Sequence, residues 1–342
     1  MKPIRVAING AGRIGRAFIK VAKERPEIEV VAINDLGSID NIAYLLKYDT
    51  AYGVSSFDVS VSSDKKTLIV DGKKIAYVSE KEPSLLPWKE NDIDVVVEST
   101  GFFTSYEKAK AHIDAGAKKV VITAPVKDEP TGDIKGGTCL LGINEQAISG
   151  FDITSNASCT TNAGSPVIAI LNETIGIEKA VLSTVHGYTA SQGIVDGPNK
   201  KDFREGRAAA QNIVPSSTGA AIAVTKVIPD LENKFDGISI RVPVVVGSIV
   251  DVTFIAKRPT TKDEVNSILK KASQEKRWSK SFSVTEEQLV SSDIVGSPFA
   301  SIADLAFTRV VDGTLVKVLA WYDNEMGYTH TLVEHVILAG SK

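Results

Sequence analysis

The first part of the chain alternates short apolar runs with amphipathic segments. Residues 2–9 alternate apolar and polar side chains, which is the pattern of a β-strand, and residues 13–23 repeat apolar side chains at helical spacing. A second apolar run follows at residues 29–34. These periods predict a strand, a helix and a second strand at the start of the chain.

The same alternation continues to about residue 155. The predicted segments are 40–48 (helix), 57–77 (antiparallel hairpin), 93–98 (strand), 105–115 (helix) and 119–123 (strand). Strands that alternate with helices are typical of a doubly wound parallel sheet. The fold class predicted for this part is therefore α/β, of the Rossmann type.

The second half of the chain has longer β-prone runs and fewer helices. The predicted segments are 180–188 (strand), 215–228 (helix), 237–256 (strands), 261–274 (helix), 310–322 (hairpin) and 327–339 (amphipathic helix). A polar, glycine-rich connection at 187–211 shows little periodicity, and loops of that length are usually functional or part of an interface. We therefore predict an α+β second domain with a mainly antiparallel sheet.

Composition narrows the class of protein. A length of 342 residues suggests two domains, and a formal net charge of -3 gives no general attraction to nucleic acid or to anionic membranes. No apolar run reaches the roughly 18 residues that a membrane span needs. The two cysteines cannot form a disulfide framework. We expect a cytoplasmic protein without a nucleic-acid partner, a membrane partner or a bound metal.

A glycine-rich turn follows the first predicted strand directly. Gly10, Gly12 and Gly15 form a GxGxxG pattern before the first helix, and Asp35 ends the second strand. This combination is the dinucleotide fingerprint, in which the glycines admit a pyrophosphate and the carboxylate binds ribose hydroxyls. The alternative is a structural turn with a solvated aspartate. Because a carboxylate would repel the extra phosphate of NADP, the pattern predicts NAD.

Three further residues stand where a doubly wound sheet binds its ligand. Thr100 and Gly101 follow the strand at 93–98, and Thr123 ends the strand at 119–123. Ligands of such sheets lie outside the carboxyl ends of the strands. We expect these three residues to contribute to the cofactor site.

Cys159 stands at a predicted turn from a strand to a helix. The preceding run, 142–154, is predicted to be extended, and a helix closed by Gly176 follows. Backbone N–H groups and the positive end of a helix dipole favour the thiolate over the thiol. The sequence therefore predicts a lowered pKa for this thiol. The alternative is a small buried residue at a turn.

Eight motifs, in order along the chain, resemble those of glyceraldehyde-3-phosphate dehydrogenases. They are Asn9-Gly-Ala-Gly-Arg-Ile-Gly-Arg16, Asn34-Asp35, Leu45-Leu-Lys-Tyr-Asp49, Ser155-Asn-Ala-Ser-Cys-Thr-Thr-Asn162, Thr184-Val-His186, Ser217-Thr-Gly-Ala-Ala221, Arg241-Val-Pro243 and Trp321-Tyr-Asp-Asn-Glu325. The resemblance covers the whole chain. It implies phosphorylating, NAD-dependent oxidation of D-glyceraldehyde 3-phosphate to 1,3-bisphosphoglycerate, as in glycolysis and gluconeogenesis.

The resemblance also implies roles for individual residues. The catalytic residues would be Cys159, which forms a hemithioacetal and then a thioester, and His186, its base. The substrate and inorganic phosphate would be bound by Ser158, Thr160, Thr189, Thr218, Gly219 and Arg241. NAD would be bound by Gly10, Gly12, Arg13, Ile14, Gly15, Asp35, Lys81, Thr100, Gly101, Thr123 and Asn324.

The resemblance further implies how the chain is organised. Residues 1–157 would form the NAD-binding domain, completed by a C-terminal helix at 324–342 that packs on it, and residues 158–323 would form the catalytic domain. The loop at 187–211 would reach a neighbouring subunit of a homotetramer. Glu205 departs from the family members that place a phosphate-binding arginine near this position, and we expect its side chain to point away from the anion sites.

Two other functions remain open from the sequence. One is erythrose-4-phosphate dehydrogenase, although the run after His186 resembles the triose enzymes. The other is a catalytically idle NAD-binding or interaction protein, against which the presence of Cys159, His186 and Asn324 together argues.

Overall fold

A computed structural model describes residues 2–200 and 202–341 of the chain. It divides into two compact units. Unit 1 contains residues 1–140, 144–157 and 332–342, and unit 2 contains residues 141–143 and 158–331. Met1, Lys201 and Lys342, which fall within the predicted domain and loop ranges, lie outside the described residues.

Unit 1 is built on strands that alternate with helices. Its strands are β1 (Ile4–Asn9), β2 (Ile28–Asn34), β3 (Tyr48–Asp49), β4 (Gly53–Val54), β5 (Val59–Val61), β6 (Thr67–Val70), β7 (Lys73–Val78), β8 (Val95–Glu98), β9 (Lys119–Ile122), β10 (Gly136–Thr138) and β11 (Ile153–Ser155). Its first three helices are α1 (Arg13–Ala22), α2 (Ile39–Lys47) and α3 (Tyr106–Asp114).

Nine of these strands form one sheet, in the order β10-β11-β9-β8-β1-β2-β7-β6-β5. Every pair from β10 to β7 is parallel, while the pairs β7-β6 and β6-β5 are antiparallel. The predicted doubly wound sheet with an appended hairpin is therefore confirmed. The central strands β1 and β8 are almost entirely buried, as expected for strands covered on both faces. Their carboxyl ends place Asn9 and Glu98 at one edge of the sheet.

Unit 2 contains a second sheet and most of the remaining helices. The elements are α4 (Cys159–Thr174), β12 (Ile177–Gly187), β13 (Val214–Ser217), α5 (Ala220–Val227), β14 (Phe235–Val242), β15 (Ser248–Ala256), α6 (Lys262–Ser273), β16 (Phe282–Thr285), β17 (Ser301–Val311) and β18 (Leu315–Tyr322). The last helix, α7 (Met326–Gly340), begins in unit 2 and ends in unit 1.

The seven strands of unit 2 lie in the order β13-β14-β12-β15-β18-β17-β16. The pairs β14-β12 and β17-β16 are parallel and the other four pairs are antiparallel. The α+β prediction with a mainly antiparallel sheet is thus confirmed. The helices α4, α5 and α6 pack on this sheet, and their apolar side chains form one core with its strands.

Two predicted segments differ from the structure. Residues 145–150 form a 3-10 helix inside the run predicted to be extended, because the Asn144 side chain bonds the backbone of Leu140 and Thr138 and turns the chain. Residues 214–217, which overlap the start of the predicted helix, pair with β14 instead. An edge strand tolerates a proline such as Pro215, so pairing overrides the helical pattern.

The last helix is not amphipathic. None of its residues is exposed, and its apolar side chains do not segregate to one face. A helix that is apolar around its circumference is a buried helix rather than a surface one. In the described residues, no helix combines the length and the apolar character required to cross a membrane.

Candidate active site

The glycine-rich turn of unit 1 is shaped by its backbone. Gly10 has φ of +97°, and a Cβ there would lie 2.8 Å from the Thr100 backbone nitrogen. A Cβ on Gly15 would lie 2.1 Å from the Gly10 oxygen, so a side chain at either position is excluded. A Cβ on Gly12 would meet nothing within 4 Å. The open space therefore lies at Gly12, where the first N–H groups of α1 are available to an anion.

Asp35 ties the end of β2 to this turn. Its Oδ2 accepts a hydrogen bond from the Ala11 backbone N–H at 2.7 Å, and its Oδ1 accepts one from Gly37 at 2.7 Å. Each carboxylate oxygen retains a lone pair for a second donor. The carboxylate is thus fixed in position and still able to accept ribose hydroxyls.

A cavity of about 570 Å³ opens beside these residues. Its lining includes these predicted cofactor residues: Gly10, Gly12, Asp35, Lys81 and Thr100. A carboxylate at the rim, an uncovered helix start and a cavity of this size fit a dinucleotide such as NAD.

The other predicted cofactor residues of unit 1 stand near this edge of the sheet. Ile14 lies in the first turn of α1, and the Arg13 side chain forms a salt bridge with Asp49 at 2.8 Å. Gly101 has φ of +76° and lies three residues after the end of β8. The Thr123 hydroxyl donates to the Glu98 backbone oxygen at 3.0 Å, so it is committed to holding β9 against β8.

In unit 2, Cys159 is the first residue of α4. Ser158 caps the helix, since its Oγ accepts a hydrogen bond from the Thr161 backbone N–H at 3.0 Å. The preceding Ala157 has φ of +54°, a left-handed conformation that turns the chain sharply into the helix. The sulfur consequently lies at the N-terminal end of a helix of 16 residues.

His186 faces the sulfur. Its Nε2 lies 3.3 Å from Cys159 Sγ. Its Nδ1 lies 2.6 Å from the Gly187 carbonyl oxygen and 2.6 Å from Arg241 Nη1. The carbonyl can only accept and the guanidinium can only donate, so these two contacts call for opposite tautomers. We assign the proton to Nδ1, donated to Gly187, because this tautomer leaves the Nε2 lone pair facing the thiol. Arg241 reaches this ring because β14 pairs with β12 and sets Arg241 opposite His186.

The titration of this pair differs from the sequence prediction. Burial raises the pKa of the Cys159 thiol, although the Arg241 charge and hydrogen bonds from Thr160 and the backbone act in the opposite direction. The predicted lowering of this pKa is therefore wrong. Burial, together with the Arg241 charge, lowers the pKa of His186 from its usual 6.5 to about 3. At neutral pH this structure thus favours a neutral thiol beside a neutral imidazole.

Tyr322 supports both Cys159 and His186, and no sequence pattern assigned it a role of its own. Its hydroxyl lies 3.0 Å from Thr160 Oγ1 and 2.7 Å from Thr184 Oγ1, and its ring meets the His186 ring edge-on. The residue is fully buried. A phenol fixed by two hydroxyls therefore holds the start of α4 and the end of β12 together. The only signal in the sequence was its place in the Trp321-Tyr-Asp-Asn-Glu325 motif.

Asn324 is oriented by the neighbouring strand. Its Oδ1 accepts hydrogen bonds from the Gly247 backbone N–H at 3.1 Å and from Ser248 Oγ at 3.0 Å. Ser248 Oγ also accepts from the Gly187 backbone N–H at 3.2 Å. The amide NH₂ of Asn324 is therefore the group left to bind an added acceptor.

The predicted anion-binding residues do not form one cluster. Ser217 pairs with Ile238, three residues from Arg241 on β14. At strand spacing, Thr218 and Gly219 thus lie roughly 10 Å or more from Arg241 along the strand direction. Gly219 precedes α5 directly, and the Thr218 hydroxyl accepts from the Ala220 N–H at 3.1 Å. The register is consistent with two separate anion positions.

Three other predicted anion ligands have hydroxyls that already make hydrogen bonds. Ser158 caps α4, Thr160 contacts Tyr322, and Thr189 Oγ1 lies 3.0 Å from Ser191 Oγ. Arg241 differs, because its buried Nε has no hydrogen-bond partner. An orphaned buried donor on a cation is the feature expected where an anion is to be bound.

Glu205 lies closer to the second anion position than the sequence predicted. Its Oε1 accepts a hydrogen bond from Ser216 Oγ at 2.5 Å, two residues before Thr218. The expectation that this side chain simply points away is therefore too simple. A negative charge is fixed on β13 near the Thr218-Gly219 turn.

No group of three or more His, Cys, Asp and Glu side chains within residues 2–200 and 202–341 is placed to hold a metal ion.

Comparison with known families identifies the family to which the chain belongs. Residues 4–106 match the family model described as glyceraldehyde 3-phosphate dehydrogenase, NAD binding domain, and residues 158–324 match its C-terminal domain. The chain belongs to the glyceraldehyde-3-phosphate dehydrogenase family.

Curated proteins of the same family are similar to this chain over almost its whole length. A glyceraldehyde-3-phosphate dehydrogenase 2 of Streptomyces avermitilis is 48% identical over 342 residues, covering 99% of each chain. A glyceraldehyde-3-phosphate dehydrogenase 2 of Kluyveromyces marxianus is 47% identical over 336 residues, covering 98% of each. A glyceraldehyde-3-phosphate dehydrogenase 3 of Saccharomyces cerevisiae is 46% identical, covering 98% of this chain and 100% of its own.

Proposed function

We propose that the protein oxidises D-glyceraldehyde 3-phosphate to 1,3-bisphosphoglycerate, with NAD and inorganic phosphate as co-substrates. The observation that carries this proposal is the contact of 3.3 Å between Cys159 Sγ and His186 Nε2, with Arg241 against the same ring. A thiol beside a base can add to an aldehyde, and a cation beside it suits a substrate that carries a phosphate.

The first step uses the neutral pair. His186 Nε2 accepts the thiol proton as the sulfur attacks the aldehyde carbon, and the proton then passes to the carbonyl oxygen to give a hemithioacetal. The backbone N–H groups at the start of α4, including that of Cys159, stabilise the charge that develops on this oxygen. Because burial raises the thiol pKa, His186 must remove the proton during the attack.

The second step is oxidation. The hemithioacetal hydroxyl gives its proton to His186 as the carbon loses hydride, which leaves a thioester on Cys159. NAD, when bound, supplies the acceptor for this hydride. An oxygen of inorganic phosphate then attacks the thioester carbon, the C–S bond breaks, and the acyl phosphate is released. His186 returns a proton to the sulfur.

We assign the cofactor to the residues that line the cavity of unit 1, together with the predicted cofactor residues outside its lining. Gly12 and the first N–H groups of α1, with Arg13, Ile14 and Gly15, would hold the pyrophosphate. Asp35 would accept the ribose hydroxyls. Lys81, Thr100, Gly101 and Thr123 would border the nucleotide, and Asn324 would donate its amide to the nicotinamide carboxamide.

We assign the two anions to the two positions that the strand register separates. Arg241 and Thr189 would bind one phosphate, and Thr218 with Gly219 at the start of α5 would bind the other. The Ser158 and Thr160 hydroxyls already make hydrogen bonds, to Thr161 and Tyr322, so each would donate its hydrogen to a phosphate oxygen only while it accepts from that partner. The backbone N–H groups of the first turn of α4 would donate to the anion as well.

Steady-state NADH production tests this function. We expect rapid, phosphate-dependent NADH formation from glyceraldehyde 3-phosphate and a much lower kcat/KM with erythrose 4-phosphate. A preference for erythrose 4-phosphate would favour the alternative dehydrogenase. Absence of NADH formation from either aldehyde, in a chain that still binds NAD, would favour the idle binding protein.

We also infer that the protein is a homotetramer located in the cytoplasm. On the sheet of unit 2, Val181 and Ile238 are about half exposed, and Phe203 on the adjoining loop is 86% exposed. Exposed apolar groups of this extent mark association surfaces. Light scattering after size exclusion should give four times the chain mass of 36.5 kDa, and a monomer at micromolar concentration would contradict the inference.

A further inference from the structure

Beneath the cofactor cavity lies a buried carboxylate, Glu98, which the mechanism above does not use. It ends β8 and is only 1% exposed. No lysine or arginine accompanies it in a salt bridge; its ionic contact in the described chain is His112 Nε2 at 2.9 Å. Burial of a carboxylate is costly unless its oxygens are fully hydrogen-bonded, so the hydrogen-bond partners of Glu98 decide whether its burial is tolerated.

On the His112 side of Glu98, the Trp88 indole fixes the direction of every hydrogen bond. The Trp88 indole N–H can only donate, and it donates to His112 Nδ1 at 3.0 Å. His112 therefore carries its proton on Nε2 and donates it to Glu98 Oε2. The imidazole is held as one neutral tautomer by an indole that cannot reverse its role.

The other side is fixed by the backbone of Glu80. Its N–H donates to Asn34 Oδ1 at 2.8 Å, and its carbonyl accepts from Asn34 Nδ2 at 2.9 Å. Asn34 Nδ2 therefore also donates to Asn9 Oδ1, at 2.7 Å, which leaves Asn9 Nδ2 to donate to Glu98 Oε2 at 2.6 Å. The Asn34 amide cannot flip without losing both bonds to Glu80, and the Asn9 amide cannot flip without setting its NH₂ against that of Asn34.

The remaining oxygen of Glu98 faces the cavity edge. Its Oε1 accepts from the Thr100 backbone N–H at 2.8 Å and from the Thr100 hydroxyl. Three of the four hydrogen bonds to Glu98, from Asn9, His112 and the Thr100 backbone, come from groups that can only donate in this arrangement, and the Thr100 hydroxyl adds the fourth. Through them it joins four places on the wall of the cavity: Asn9, Asn34, Glu80 and Thr100.

We propose that Glu98 is a positioning residue for the cofactor, which fixes Thr100 and the ends of β1 and β2 around the nucleotide cavity through a one-directional hydrogen-bond network. The inference rests on the cofactor site proposed above. Glu98 would not touch the cofactor itself. Its effect would appear in NAD affinity rather than in the chemistry at Cys159.

The network makes Glu98→Gln informative. A glutamine presents one NH₂ group, which must face either Thr100 or the Asn9 and His112 donors, so donors oppose each other in both orientations. We expect the Kd and the KM for NAD to rise about tenfold, since a lost hydrogen bond to a charged group costs at least that factor. The alkylation rate of Cys159 should change far less.

Asp304→Asn provides the matched control. Asp304 is also 1% exposed and accepts from a tryptophan indole, that of Trp321 at 3.1 Å, but it lies in unit 2 and outside the proposed sites. The control should lower the melting temperature while the NAD Kd stays unchanged. If Glu98→Gln behaves like this control, with lowered stability and unaltered NAD affinity, the positioning role is wrong.

A second variant guards against failure of the first to fold. Trp88→Phe removes the indole donor and lets His112 place its proton on Nδ1, so the network loses its direction without losing the carboxylate. We expect Trp88→Phe to raise the NAD Kd less than Glu98→Gln does. In the Trp88→Phe background, Glu98→Gln should raise the Kd by a smaller factor than it does in the wild type. Unchanged NAD affinity in Trp88→Phe would contradict the proposal. Wild-type protein that fails to bind NAD would instead contradict the proposed cofactor site.

Discussion

Replacement of His186 by glutamine should separate proton transfer from all other contributions to catalysis. The imidazole Nε2 lies 3.3 Å from Cys159 Sγ, and burial raises the pKa of that thiol. A glutamine can still make a hydrogen bond to the sulfur but cannot accept its proton near neutral pH. The variant therefore removes the base and retains a polar contact.

The size of the effect follows from the role of the base. General base catalysis contributes about 10²–10⁴ in rate, which corresponds to about 3–5 kcal/mol of transition-state stabilisation. We expect the rate of the first NADH turnover, measured by stopped flow without phosphate, to fall within this range. Because only the thiolate then reacts, the rate should rise with pH up to the raised pKa of the thiol.

A matched variant shows whether the loss is specific. His335→Gln alters a histidine of unit 1 that is as deeply buried as His186, but that is not bonded to the sulfur. It should leave the first turnover near the wild-type rate. If His186→Gln keeps more than about a tenth of the wild-type rate, or shows the wild-type pH dependence, His186 does not act as the base.

Three further outcomes are expected. Iodoacetamide should label Cys159 and leave Cys139 unmodified in the folded protein, because Cys159 is partly exposed and contacts the His186 base, whereas Cys139 is fully buried and burial raises its pKa to about 12. Equal labelling seen by peptide mass spectrometry would contradict this. Arg241→Leu should raise the KM for glyceraldehyde 3-phosphate about 10–100-fold and Arg241→Lys less, since the lost bonds are charge-assisted, and an unchanged KM in steady-state assays would remove Arg241 from the phosphate site. Burial lowers the pKa of His335 from 6.5 to about 3, so the unfolded chain binds the extra proton between these values and stability is lost as the pH falls from 6.5 towards 3. The melting temperature of His335→Gln should therefore fall less steeply than that of the wild type as the pH is lowered from 6.5 towards 3. Equal slopes for the two proteins would refute the lowered pKa of His335.

Features that depend on neighbouring residues along the chain were predictable from the sequence. The turn at Gly10 to Gly15, the carboxylate of Asp35 and the helix that starts at Cys159 all follow from local spacing and turn chemistry. The hairpin at Asp312-Gly313 also formed as predicted, with φ of +47° and +67° at these two positions. Such patterns carry their own geometry because few residues determine it.

Features that depend on strand pairing were not predictable. The contact between Arg241 and His186 exists because β14 lies beside β12, and no local pattern indicates which strands become neighbours. The segment that starts at Pro215 has a helical pattern but pairs with β14 as an edge strand. Tertiary pairing outweighed local propensity there.

Titration was the least predictable property. The helix dipole at Cys159 is a local feature, whereas the desolvation that raises its pKa arises from packing around the sulfur. The network likewise joins residues up to 103 positions apart, since Asn9 and His112 both donate to Glu98. Its hydrogen-bond directions became evident only when the Trp88 and Glu80 donors were located.

The central claim is that Cys159 carries the substrate as a thioester until phosphate removes it. The most direct measurement combines intact-protein and peptide mass spectrometry with NADH detection, after mixing the protein with NAD and glyceraldehyde 3-phosphate in the absence of phosphate. The account predicts one NADH per chain and one 3-phosphoglyceryl adduct on Cys159, which inorganic phosphate discharges as acyl phosphate. NADH formation without an adduct on Cys159, or an adduct that phosphate does not remove, would contradict it.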